Sequence, residues 1–136
     1  VLSGQGLVNL YQAICHLHHG VGHPGITPAQ ILEHGLNQRD AESRLTLDLF
    51  CSWLGSVAGD VALTLGARGG SYIGGGIAPR LRAFLNQSNF RARFEAKGRF
   101  QAYLQSIPTW LIEAEEPPAL RGASRALSMQ LAQSRP

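Results

Sequence analysis

Between Asp40 and about Leu65 the sequence places Leu47, Phe50, Leu54, Val57, Val61 and Leu65 three or four positions apart. Only a helix turns residues so spaced onto one face, and at this length such a helix spans a small domain from side to side. Everything else in the chain must therefore be packed around it, and the spacing predicts a central buried helix over this stretch. Gly55 and Gly59 interrupt the pattern. Each costs roughly 1 kcal/mol against alanine inside a helix, so their presence predicts that another backbone comes close to that face.

The elements before it are shorter. Ser3 is placed to cap a helix over about Gly4 to Leu17, with Leu7, Leu10, Tyr11 and Ile14 on its inner face,. The glycines between Gly20 and Gly25 end it. Thr27 followed by Pro28 reads as an N-cap and first-turn pair opening a second helix through Ile31, Leu32 and Leu36, closed at Asn37,. After Gly66 the pattern changes to a short strand and a glycine turn, Gly69 to Gly76, with a helix following at once through Leu81, Phe84 and Leu85,. Two helical turns, Phe90 to Phe94 and Phe100 to Leu104, lie either side of Gly98. Pro108 introduces a strand over Thr109 to Glu113, Pro117-Pro118 stops it, and Ala119 to Gln133 forms a last helix,. A crossover of this length between the strands favours a parallel pair. Two strands fall short of an ordinary sheet, which predicts that further strands lie outside this sequence.

Composition narrows the function. Apolar residues make up 44% and charged residues 15%, which suits one globular domain and gives no case for disorder,. The net charge of +3 is spread along the chain, and the nearest cluster, Arg91, Arg93, Lys97 and Arg99, is broken by Phe90 and Phe94 at helical spacing. A nucleic-acid partner is not expected from that distribution. Cys15 and Cys51 are two, far apart and on helical faces, so no disulfide framework is implied,. No apolar run suits a signal peptide or a membrane span, and the expectation is a cytoplasmic protein. The sequence opens at Val1-Leu2-Ser3-Gly4, without Met and at a helix entry, as if cut from something longer.

Two glycine segments are placed for chemistry. At Tyr72 to Arg82 a strand, a glycine turn and a helix follow one another, letting a flat or anionic ligand approach the backbone; a connection without a ligand reads equally well,. Gly74, Gly76 and Pro79 do not make a dinucleotide fingerprint, and no Lys with Ser or Thr follows as a phosphate-binding loop requires,. At Ser3 to Leu7 a helix start exposes backbone N–H groups, though a plain N-cap accounts for it as well. His16, His18, His19 and His23 suggest a metal, but glycines interrupt their spacing and no carboxylate lies in the same stretch, so the expectation is a solvated helix end without one,. Neither cysteine has an activating base near it in sequence. Glu113, Glu115 and Glu116 read as a solvated turn, and no residue has a convincing catalytic setting.

Four ordered motifs, Leu2-Ser3-Gly4-x-Gly6-Leu7-Val8-Asn9-Leu10-Tyr11, the Phe50-Cys51 helix ending in Ala62-Leu63-Thr64-Leu65-Gly66, Gly69-Gly70-x-x-Ile73-x-Gly75-Gly76-Ile77-x-Pro79-Arg80, and Phe94-Glu95-x-Lys97-Gly98-Arg99-Phe100, together resemble bacterial glucokinase over nearly the whole chain. The resemblance implies an α/β protein: part of the C-terminal lobe of an actin-like, RNase-H-like kinase fold, helix-rich with a short parallel strand pair. Residues 1–117 would belong to that lobe and carry the adenosine-side motif, and residues 118–136 would be a C-terminal helix packing on a small lobe outside this chain. By the same resemblance Gly74, Gly75 and Gly76 line the adenosine site with Ile77 and Arg80 flanking it, Ser3 and Gly4 line the cleft, and the complete enzyme uses ATP and Mg2+ to phosphorylate glucose as a homodimer. The family's sugar-binding and catalytic residues would lie before Val1, so the isolated chain is expected to be inactive and its sugar preference is not legible. Two other classes stay open on the residues alone, a non-catalytic oligomerisation module and a stand-alone nucleotide-binding domain.

Overall fold

The computed structural model describes residues 2–113 and 118–133. Val1, residues 114–117 and residues 134–136 lie outside the described residues, and with them most of the turn expected at Glu113, Glu115 and Glu116. Helices α1 (Gly4–His19), α2 (Pro28–Leu36) and α3 (Ala41–Thr64) come first, then strand β1 (Ser71–Ile73), α4 (Arg82–Gln87), α5 (Phe90–Glu95), α6 (Gln101–Gln105), strand β2 (Thr109–Leu111) and α7 (Pro118–Gln133). The two strands run parallel, with Ser71, Tyr72 and Ile73 opposite Thr109, Trp110 and Leu111.

The caps follow from the residue types. Ser3 accepts a hydrogen bond from the Gly6 N–H at 3.0 Å, and Gly20 ends α1 in the left-handed conformation at φ 75°, two residues beyond the expected end. Thr27 and Gln30 form a reciprocal capping box with Pro28 in the first turn of α2,. Asp40 accepts from the Ser43 N–H at 3.0 Å and starts α3.

Two apolar clusters meet along α3. The larger gathers Leu7 and Tyr11 of α1, Ile31 and Leu32 of α2, Leu47, Phe50 and Cys51 of α3, and Leu81, Phe84 and Phe90; the smaller joins Ala62 to Phe94, Leu104 and Ile107. The buried stripe of α3 departs from the one the apolar spacing predicts. Its upper half runs through Cys51, Gly55, Gly59 and Ala62, whereas Val57, Val61 and Leu65, expected inside, are 47%, 50% and 75% exposed. The backbone of α5 lies so close along the glycines that the small residues take the inner face and the branched ones are turned away. A Cβ added at Gly55 would stand 2.1 Å from the Phe90 carbonyl oxygen, and one at Gly59 2.4 Å from that of Phe94. The close approach inferred from these glycines is thus present, and its partner is α5.

Polar contacts tie α5 and α6 down. Arg91 donates to the carbonyl oxygens of Ile107, Leu104 and Gln105 at 2.8, 3.2 and 3.0 Å, closing the end of α6 just before β2. Lys97 pairs with Asp60 at 2.7 Å and the Tyr103 hydroxyl donates to the Ala67 carbonyl at 2.7 Å, both reaching back to the end of α3. Among the described residues no helix is long and apolar enough to cross a membrane. Cys15 and Cys51 are free and buried.

Candidate functional site

The strand, turn and helix order at Tyr72 to Arg82 is present, with one difference. In place of a single helix, a four-residue 3-10 turn, Ala78–Leu81, leads into the six-residue α4. Pro79 enters this turn and Leu81 is buried, so the chain bends inward before α4 can begin. Neither piece is long enough to bring a substantial helix dipole to bear on the turn. Any recognition there falls to the peptide groups themselves.

The turn's geometry suits that. Hydrogen bonding fixes both of its approaches, with the Ser71 N–H donating to Pro108 O at 2.9 Å and the Ile112 N–H to Ile73 O at 2.8 Å. Gly70 is at φ 136°, where a side chain would press on the Trp110 ring at 3.1 Å. Gly75 is at φ 115°, a conformation that residues with a Cβ rarely adopt, and no atom lies within 4 Å of where a Cβ would stand,. The same openness holds at Gly76, while a Cβ on Gly74 would touch Ile112 at 3.4 Å. Gly74, Gly75 and Gly76 are all exposed. Ile77 is half-buried against the larger core cluster and its carbonyl accepts from the Arg80 N–H at 3.0 Å, which anchors the far end. Arg80 is exposed and its guanidinium makes no ion pair among the described residues.

Ser3 and Gly4 are placed differently. The Ser3 hydroxyl is engaged as a cap, and a Cβ on Gly4 would lie 3.5 Å from Pro28 of α2. Both are thereby accounted for by the α1 and α2 packing. No hydrogen bond or ion pair among the described residues joins them to the glycine turn.

A pocket of about 410 Å³ lies beside β2, lined among others by Ile73, Arg82, Trp110 and Glu113, with Arg82 and Glu113 paired at 3.4 Å. The residue pattern did not disclose it. Arg82 and Glu113 are far apart in sequence, and Trp110 is turned outward only by the register that sets it opposite Tyr72.

Titratable groups elsewhere are held in fixed forms. Burial and the neighbouring Cys15 and Asp40 push the Tyr11 phenol well up. Burial also raises Asp40, but hydrogen bonds from the Ser43 hydroxyl and N–H and from Tyr11 outweigh it and leave the carboxyl below its ordinary range. Burial pushes the Cys51 thiol up to about 11, against a smaller opposing contribution from Ser88. A thiol so shifted is no nucleophile.

A family model described as Glucokinase matches residues 1–130. The chain is 52% identical over 132 residues to a glucokinase of Chromobacterium violaceum, covering 97% of this chain and 37% of that protein. It is 53% identical over 114 residues to a glucokinase of Paramagnetospirillum magneticum, covering 82% of this chain and 35% of the relative. Among solved structures, a glucokinase from an Antarctic psychrotroph matches with a TM-score of 0.76 at 39% identity, over 83% of this chain and 35% of that one. The chain thus spans well under half the length of the proteins it matches.

Proposed function

This chain belongs to the glucokinase family and carries part of its α/β kinase fold, and from that premise we propose that it supplies the adenosine side of an ATP-dependent enzyme that phosphorylates D-glucose to glucose 6-phosphate. The observation that carries the reading is the open, positive-φ turn at Gly75, joined to β1 and anchored by Ile77. A flat base and ribose can lie against peptide groups that no side chain shields, and exposed Arg80 is free to meet a phosphate or ribose oxygen. On the same reading Ser3, capping α1, and Gly4, lying against Pro28 of α2, line the cleft.

In the complete enzyme the glucose 6-hydroxyl attacks the γ-phosphate while a carboxylate takes its proton, and catalysis rests on positioning and charge stabilisation. Magnesium neutralises phosphate charge when bound; the turn itself offers it no cluster of carboxylates among the described residues. Those groups are assigned to the remainder of the enzyme. The exposed Leu120, Leu127 and Leu131, which share one face of α7, support residues 118–136 packing on a second lobe, which accounts for an apolar helix face left uncovered here,. Glycolytic glucose phosphorylation in the cytoplasm by a homo-oligomer completes the proposal.

In the complete enzyme, Gly75→Val should raise the Michaelis constant for ATP and leave that for glucose nearly unchanged. An unaltered ATP dependence would remove the turn from the nucleotide site. The isolated chain, lacking the base and the phosphate-holding groups, should form no glucose 6-phosphate from magnesium-ATP. Loss of a general base alone removes a factor of about 10² to 10⁴, so turnover near 1 to 100 per second, roughly the ordinary kinase range, would place the active site within this chain.

A further inference from the structure

The fold brings to the histidines at the end of α1 the carboxylate that their own stretch of sequence lacks. Glu42, in the first turn of α3, meets His18 Nδ1 at 3.3 Å and His19 Nε2 at 2.9 Å, both through the same oxygen, Oε1. The three ligand atoms lie within 4.8 Å of one another. We propose that His18, His19 and Glu42 form a binding site for a divalent transition ion of the zinc class, clamping the end of α1 to the start of α3.

Zinc takes imidazole nitrogen and carboxylate oxygen at about 2.0 to 2.2 Å in a tetrahedron, which sets its ligand atoms roughly 3.3 Å apart. The separations from Glu42 to each ring are close to that edge. The third side, between the two ring nitrogens, is within 4.8 Å and closes by rotation of rings that are 47% and 57% exposed, whereas Glu42, at 16%, is the fixed member. Its position is set from both directions. Asp40 caps α3 through Ser43, and the left-handed Gly20 ends α1 immediately after His19 by donating to the His16 carbonyl at 2.9 Å. Two neutral imidazoles and one carboxylate leave a single positive charge on the bound ion and a fourth position for water. That donor set suits zinc, and by the general order of affinities nickel and copper as well. Neither His16 nor His23 belongs to the group.

The test uses the protein without a polyhistidine tag, stripped with a chelator and titrated with zinc chloride in a calorimeter. One equivalent should bind saturably and raise the melting temperature. His19→Gln and Glu42→Gln should each weaken binding by at least about tenfold, and His18→Gln, at an exposed position, provides a third variant with little risk to folding. His16→Gln and His23→Gln should leave binding unchanged. Binding weaker than roughly 100 μM, or equal binding by the Glu42 and His19 variants, would overturn the proposal.

Discussion

Replacing Gly55 by alanine adds one methyl group where the backbone of α5 lies against α3. The new Cβ would stand 2.1 Å from the Phe90 carbonyl oxygen, 2.9 Å from its carbon and 3.1 Å from the Phe90 Cα. All three are backbone atoms, so no rotamer change relieves the overlap, and α5 must back away from α3 by about an ångström to restore ordinary contact. Phe94, fully buried, and the Arg91 contacts to the end of α6 move with it. Overpacking of this kind costs about 1 to 3 kcal/mol, occasionally more. Alanine recovers roughly 1 kcal/mol through its helix propensity. Because backbone meets the new methyl and cannot yield, the cost falls at the upper end of that range, and the net loss is about 2 kcal/mol, or roughly 4 to 8 °C at the shift of about 2 to 4 °C per kcal/mol for chains of about 150 to 250 residues. Differential scanning calorimetry of the complete protein measures it, with Gly76→Ala, which meets nothing within 4 Å, as the near-neutral comparison. A Gly55→Ala protein as stable as the parent would refute the backbone contact.

Cys51 should react with a thiol reagent far more slowly than a free cysteine at pH 8, since its thiol is pushed up to about 11 and buried; stoichiometric labelling of the folded protein within minutes would contradict this. Asp40 has a carboxyl lowered in the folded state, so its stabilising contribution is present above the unfolded value of about 3.9 and is lost as pH falls through the lower folded one,. Asp40→Ala should cost about 0.5 to 2 kcal/mol at neutral pH through loss of the cap, with the difference from the parent shrinking in melts below pH 4.

Local chemistry made much of the fold legible. Ser3, Thr27 with Pro28, and Asp40 each sit at a helix start for reasons carried by their own side chains. The crossover between β1 and β2 was long enough to favour a parallel pair, and the pair is parallel. What stayed hidden depends on residues that meet only in space. Val57, Val61 and Leu65 satisfy helical periodicity as well as the residues actually buried, and only the approach of α5 decides between the two faces. The glycine turn between strand and helix was visible in the sequence, but the bend of Ala78–Leu81 that shortens the following helix reflects the burial of Leu81. Glu42 lies more than twenty residues from His18 and His19, so no local spacing could join them.

The contact between α3 and α5 also bears on how sequence variation can be read. On one side stand Gly55 and Gly59; on the other stand the carbonyl groups of Phe90 and Phe94, which every amino acid possesses. A substitution at 90 or 94 alters a side chain but leaves the touching oxygen in place, so it cannot compensate for a larger residue at 55 or 59. Correlated change between the two helices, the usual trace of a close contact, has nothing to act on at these points. This backbone contact is therefore one that pairwise covariation would pass over, and its trace in sequence is the glycines themselves.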